Sequence, residues 1–291
     1  MNIISASRRT DIPAFYGDWL MARLREGYSR YRNPYNQKEY EVSLKPQDVS
    51  AIVFWSKNYQ PMLNHLKAID KSYPFYCHFT ITGLPKDLEQ QTPPLNQAIN
   101  TFRNLSDSYS PKRVLWRYDP IVFSTETSID YHMERFTELA TQLKGYTERC
   151  YISFVQRYYK KVRRQFDLLE KDKGLTVSDP SSDTVIKLLS FMKATARENN
   201  ITLYSCCQDQ NVDSELQKAH CVDSILLNKL YPHKSFTGRL NPTRSQCGCF
   251  KSIDIGAYDT CPHGCIYCYA NVNQEKARLY HSNHSVESHI L

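Results

Sequence analysis

The chain reads as an α/β protein with a parallel sheet, a full or partial TIM-like (β/α) barrel of about six to seven strands. Short β-branched and aromatic runs alternate with longer amphipathic stretches. Strand-helix-strand alternation favours parallel neighbours joined by crossover helices. Polar or thiol side chains also recur just after the predicted strands, where β/α barrels gather their reactive groups.

The strands are expected at 2–6 (NIISA), 51–56 (AIVFWS), 75–82 (FYCHFTIT), 113–118 (RVLWRY), 149–155 (RCYISFV), 201–206 (ITLYSC) and 252–256 (SIDIG). Helical periodicity fits 13–27, 59–71, 94–106, 129–144, 182–199 and 269–280. Residues 28–46 place turn residues between two polar-aromatic runs, which predicts an inserted β-hairpin, and the charged stretch 160–180 suits a helix plus loop. With 291 residues and no evident linker or repeat, the expectation is one barrel domain over 1–291, carrying a cysteine-rich region at 206–271.

No apolar run approaches the about 18 residues of a membrane span, and MNIISASRRTDIP lacks a secretory pattern, so a soluble, cytoplasmic protein without a membrane partner is expected. Ten cysteines in such a chain point to reduced thiols and metal ligation rather than disulfides. Cys77 and Cys150 sit alone in apolar segments and read as core. A formal net charge of +7 suits an anionic substrate or a nucleic acid, although the run Lys160, Lys161, Arg163, Arg164 also reads as a solvated helix face. Neither a Gly-rich phosphate loop nor a Ser/His/Asp arrangement is evident, which disfavours nucleotide hydrolysis and acyl transfer.

The most informative segment is Cys261-Pro-His-Gly-Cys-Ile-Tyr-Cys268. Three thiolates on one short loop can hold three irons of a four-iron cluster and leave the fourth open to another ligand. Structural zinc is the alternative, since it takes four Cys or His donors and His263 lies between two of the cysteines; unliganded thiols are the other. Upstream, Cys206-Cys207, Cys221 and Cys247-Gly-Cys249 could form a second site. Cys206, Cys221, Cys247 and Cys249 are the favoured ligands there, with Cys207 the alternative to Cys206, for a second four-iron cluster or zinc. At other strand ends Arg8, Asp11, Lys57, Arg117 and Asp119 are candidate catalytic or substrate-binding groups. The competing reading of Arg8 or Arg9 with Asp11, and of Arg117 with Asp119, is an internal salt bridge.

The spacing of Cys261, Cys265 and Cys268, with Tyr267 before the last, resembles the signature of the radical S-adenosylmethionine (SAM) superfamily. That resemblance implies a four-iron four-sulfur cluster binding SAM, hydrogen abstraction from a substrate, and a reductant such as flavodoxin or ferredoxin. In most members the cysteine loop follows the first barrel strand, so its position here implies circular permutation, with SIDIG preceding NIISA in the sheet. No Gly-Gly-Glu run marks a methionine-binding strand. SASRRTDIPAFY (5–16), VFWSKN (53–58), TITGLP (80–85), WRYDPI (116–121) and CGCFKSIDIGAYDTCPHGCIYCYAN (247–271) together resemble a bacterial family of unknown function, domain of unknown function 1848. WSKN and SASRRTDIP are also distantly similar to strand ends of spore-photoproduct-lyase-type proteins. The expected function is therefore a radical SAM enzyme acting on an unknown substrate. The alternatives are an iron-sulfur protein without SAM chemistry (a cluster-dependent lyase, a desulfidase or an electron carrier) and a zinc-stabilised nucleic-acid-binding module.

Overall fold

A computed structural model describes residues 1–271 and 273–291. In chain order its strands are β1 (Asn2–Ala6), β2 (Tyr28–Arg32), β3 (Glu39–Ser43), β4 (Val49–Ser56), β5 (Phe75–Thr80), β6 (Val114–Ile121), β7 (Phe123–Ser124), β8 (Arg149–Phe154), β9 (Val177–Ser178), β10 (Thr202–Ser205), β11 (Leu216–Lys218) and β12 (Ile253–Asp254). The α-helices are α1 (Ile12–Phe15), α2 (Gly17–Glu26), α3 (Leu63–Ile69), α4 (Leu95–Tyr109), α5 (Ile129–Leu143), α6 (Lys160–Lys173), α7 (Ser182–Glu198), α8 (Ser224–Leu230) and α9 (Gln274–Asn283).

Eight strands form one parallel sheet in the order β11-β10-β8-β6-β5-β4-β1-β12. From β1 to β11 the order follows the chain, each strand lying beside the sheet strand that precedes it in sequence, as sequential neighbours commonly do. The last strand lies outside the first, with Ile4 opposite Ile253 and Ser5 opposite Asp254, which is the neighbour relation the permuted reading of SIDIG requires. The TIM-like closure is corrected: the sheet is open, and it has eight strands rather than six or seven. Its edge strands β11 and β12 are only three and two residues long, too short to complete a ring of paired backbones.

Each face of the sheet has its own covering, because successive strand residues point to opposite sides. Ile4, Ala6, Ile52, Phe54, Phe75, Cys77, Phe79, Trp116, Tyr118, Cys150 and Ile152 share one core with helix residues such as Trp19, Leu66, Phe102, Phe136 and Met192. Cys77 and Cys150 are fully buried there, as their apolar settings predicted. On the other face, Ile3, Ala51, Val53, Tyr76, Leu115 and Tyr151 pack against Val222, Leu226, Leu227, Cys206, Cys221, Cys247 and Cys249. The segment from 206 to 250 thus covers this face, using β11 and α8, two elements absent from the sequence expectation.

Other expectations differ in detail. The insertion is an antiparallel hairpin of β2 with β3, Tyr28 opposite Ser43. The helix expected at 13–27 breaks at Tyr16, where Asp11 caps α1 through Ala14 N and Tyr16 adopts a non-helical φ of −133°. The last helix starts at Gln274 rather than 269, because residues 269–271 belong to the cysteine loop: Asp259 N donates to the Ala270 carbonyl at 3.0 Å.

Gly256 explains how tightly β12 docks. A Cβ on it would stand 2.1 Å from Ser7 Oγ, well inside any real contact. Gly256→Ala should lower stability by about 1–3 kcal/mol, as overpacking does, read as a lower urea midpoint with an unchanged slope. Wild-type stability in that variant would mean that β12 is not fastened to the β1 end.

Candidate metal centres at the strand ends

Asp254 holds the loop after β1. Its carboxylate accepts from Ser5 Oγ at 2.7 Å, Ser7 Oγ at 2.5 Å, Arg8 N at 3.0 Å and Gly256 N at 3.0 Å. The Arg8 guanidinium lies 3.6 Å from the same carboxylate and over the Trp55 ring. The competing reading of a salt bridge from Arg8 to Asp11 is not met, since Arg8 pairs with Asp254 instead. Asp11 instead accepts from Ala14 N at 3.0 Å, Lys57 N at 2.8 Å and His263 Nε2 at 2.7 Å. It joins the loops after β1 and β4 to the C-terminal cysteine loop. Arg8 Nη1 is buried and lacks a hydrogen-bond partner among the described residues.

The cysteine loop, 261–268, is seated on the segment after β5. Ile266 N donates to the Leu88 carbonyl and Gln91 N to the His263 carbonyl, while Cys265 bridges to Glu89. Glu89 Oε1 accepts from Lys57 Nζ at 2.8 Å, Thr82 Oγ1 at 2.7 Å and the Tyr267 hydroxyl. Burial alone would raise the Glu89 carboxyl, but Lys57 and these hydrogen bonds hold it below the ordinary range. Burial likewise opposes the Lys57 charge, and Glu89 and then Cys265 raise its pKa above the usual value. A pocket beside this pair is lined by Thr80, Thr82, Gly83, Thr92 and Leu95. Cys261, Cys265 and Cys268 are electrostatic neighbours, and burial pushes all three thiols up.

The second group contains five cysteines where the sequence suggested four. Sulfur contacts run from Cys206 to Cys207 at 3.9 Å and from Cys206 to Cys221 at 3.5 Å. They continue from Cys207 to Cys247, from Cys247 to Cys249 and from Cys249 to Cys221, closing a ring. Hydrogen bonding from Cys207 and Cys249 holds Cys247 low, whereas Cys207 is pushed up, first by its contact with Cys206. Cys207 joins the ring from a left-handed backbone (φ 57°). Gly248 lets the Cys-Gly-Cys clip press on the neighbouring chain, since a Cβ there would lie 2.8 Å from the Ala219 carbonyl.

Guanidinium groups attend this ring. Arg117 Nη1 donates to Cys221 Sγ at 3.2 Å, and its Nε to Asp119 Oδ2 at 3.1 Å. Asp119 also accepts from Ser153 Oγ. Arg244 Nε donates to Cys207 Sγ at 2.9 Å. Burial opposes the Arg8 charge, but Asp254 first, and then the nearby Cys249 and Cys221, raise its pKa above the usual value. The carbonyl of Cys221 accepts from Tyr76 and His78 Nε2, both at 2.7 Å, and burial keeps His78 neutral by lowering its pKa. Among the described residues, no three His, Cys, Asp or Glu side chains are grouped to hold a single metal ion.

The strand-end rule brought Arg8, Lys57, Arg117 and Asp119 to one end of the sheet, as expected. Sequence reasoning missed Glu89, Asp254 and Arg244, and it raised His263 only as a possible zinc donor, not as the partner of Asp11. Glu89 and Arg244 lie in irregular segments with no periodic signal; Asp254 was visible in SIDIG as a lone acid within an expected buried strand.

Residues 3–270 match a family model described as Domain of unknown function (DUF1848). No curated protein and no solved structure matches the chain.

The Lys57–Glu89 pair should be expensive to break. Lys57→Met leaves a buried carboxylate without its cation, and the loss should be about 3–5 kcal/mol at neutral pH. The pair's contribution is complete above the unfolded Glu value of about 4.3 and below the unfolded Lys value of about 10.4. It is lost as pH falls through the depressed folded value of Glu89 or rises through the raised one of Lys57. Urea titrations of wild type and variant across pH check this, and equal stability at neutral pH would remove the pair from the structural account.

Proposed function

We propose that this chain, which belongs to the DUF1848 family, is an iron-sulfur enzyme of radical SAM type. Cys261, Cys265 and Cys268 are the residues that would hold a four-iron cluster, and four of the five ring cysteines would hold a second. The observation that carries the reading is the separation of the thiols into a group of three on one loop and a ring of five contacted by the Arg117 and Arg244 guanidinium groups.

The donor sets suit such clusters. Three neighbouring thiols with no fourth cysteine beside them match a cluster with one open iron. The buried Arg8 Nη1 without a partner matches a site designed to donate to a further acceptor. The five thiols form a ring of pairwise contacts, from which four would serve a second cluster or a structural zinc. When bound, a cluster of this kind supplies an electron for cleaving SAM to a deoxyadenosyl radical. The permuted partial-barrel reading rests on the same likeness, with β12 beside β1 supporting it.

The chain's own residues have separable tasks. Asp11 and His263 fix the cysteine loop against the loops after β1 and β4. Lys57 keeps a buried positive charge beside Cys265, compensating negative charge there. Arg8 offers a directed donor to a carboxylate or another anionic group. Arg117 and Arg244 hold positive charge against the ring sulfurs, and Asp119 with Ser153 orients Arg117. A reductant such as flavodoxin or ferredoxin would complete the system.

The test is anaerobic reconstitution with iron and zinc analysis and EPR of the dithionite-reduced protein. SAM should shift one reduced-cluster signal, and changing Cys261, Cys265 and Cys268 to alanine should remove that signal and leave a second. Replacing Cys206, Cys207, Cys221, Cys247 and Cys249 should have the opposite effect. A reduced cluster indifferent to SAM would favour the alternative of an iron-sulfur protein without SAM chemistry, and zinc without iron would overturn both.

A further inference from the structure

Helix α6 carries Lys160, Lys161, Arg163 and Arg164 in its first five residues, all exposed. Its apolar residues Val162, Phe166 and Leu169 are buried against Leu84, Leu88 and Ile266, so the helix is packed directly on the cysteine loop. Cations at this end oppose the helix dipole, which favours acids in the first turn. No acid is present there, and the N-cap residue Tyr159 makes no side-chain capping bond. The ion pairs flanking this stretch are Arg157 with Asp179 and Lys173 with Asp87; none of the four cations has an ion pair among the described residues. Four like charges are thus concentrated where neither the fold nor a counter-charge rewards them.

A stack of aromatic rings adjoins them. Tyr158, 59% exposed, lies 4.2 Å from Tyr159, and Tyr159 stacks on Tyr269 at 5.7 Å with an interplanar angle of 23°. Tyr269, 39% exposed, immediately follows Cys268, and its hydroxyl donates to the Arg8 carbonyl. The aromatic path therefore begins beside the cationic turn and ends at the cysteine loop. Arg244 reaches the same neighbourhood, close enough to influence Tyr158 and Tyr269.

We infer that this surface binds single-stranded nucleic acid, with phosphates on Lys160, Lys161, Arg163 and Arg164 and bases against the partly exposed rings of Tyr158 and Tyr269. Clustered cations with no protein counter-ion fit a polyanion, and partly exposed rings at the two ends of the Tyr158-Tyr159-Tyr269 series favour a nucleic acid strand over other polyanions. The surface presents its rings toward the loop of Cys261, Cys265 and Cys268, so a bound strand would lie over that loop. The inference stands on surface chemistry alone and does not require either metal centre.

Fluorescence anisotropy of labelled oligo-dT and oligo-U with the intact protein tests it, and the two probes separate DNA from RNA. Both should bind, or one preferentially, with affinity falling between about 50 and 200 mM salt along a log–log slope of about −3 for four phosphate contacts to a single strand. The variant K160E/K161E/R163E/R164E should abolish binding without unfolding, since acids are favoured at a helix N-terminus. Tyr158→Ala should weaken binding about tenfold, the effect of losing one stacked base, at unchanged salt slope. Vesicles containing anionic phospholipid serve as the competing probe. Binding of vesicles but of neither oligonucleotide would overturn the inference, as would oligonucleotide binding unaffected by the fourfold reversal.

Discussion

Asp254 accepts hydrogen bonds from Ser5, Ser7, Arg8 and Gly256 and lies beside the Arg8 guanidinium, so one buried carboxylate fastens the last strand of the sheet to the first. Everything at the strand ends depends on that junction. A two-residue strand has few backbone bonds of its own, and its position beside β1 is held by these side-chain bonds and by the close approach that Gly256 permits. The junction carries the cysteine loop to the end of the sheet where Arg8, Lys57 and Asp119 emerge. A chain separation of about the whole molecule is thereby converted into contact.

The sheet's two faces follow different physics. One is covered by helices mainly through aliphatic and aromatic packing, with polar atoms paired in places, as Tyr118 is with His132 and Trp116 with the Ile81 carbonyl. The other supports Tyr76, His78, Arg117 and Asp119 beneath a covering rich in thiols: Tyr76 and His78 Nε2 donate to the Cys221 carbonyl and Arg117 to Asp119, whereas His78 Nδ1 and the Tyr151 hydroxyl are buried without a hydrogen-bond partner among the described residues. Buried charge is tolerable only when paired. Arg8 is matched by Asp254, Lys57 by Glu89 and Arg117 by Asp119; Arg244 is matched by sulfur. That last contact gives the guanidinium a sulfur acceptor in place of a carboxylate.

Much of this was legible in residue patterns. The parallel sheet was visible because its strands are runs of β-branched and aromatic residues, and the hairpin because turn residues separate two polar-aromatic runs. Cys77 and Cys150 were recognisable as core from their neighbours. Less legible were β11 and α8, a short strand and a short helix whose apolar residues gain meaning only against the sheet face they cover. Closure was overestimated, since strand count and alternation do not reveal whether two short edges can reach each other. For Arg8 and Asp11 the residue pattern left a ligand-binding role and a mutual salt bridge open, and the fold gave each a different partner, Asp254 and His263.

The sequence by itself determined the α/β class, the parallel order from β1 to β10, the grouping of three cysteines on one loop and the strand ends at which charged groups appear. These depend on periodicity and local spacing, which are properties of neighbouring residues. Only the tertiary structure decided that the sheet is open, that five thiols rather than four form the ring, and that Glu89, Asp254, His263 and Arg244 complete the charged network. Those outcomes depend on which distant segments meet, and burial decides them: each charge removed from water must find a counter-charge or hydrogen-bond partner, wherever in the chain it lies.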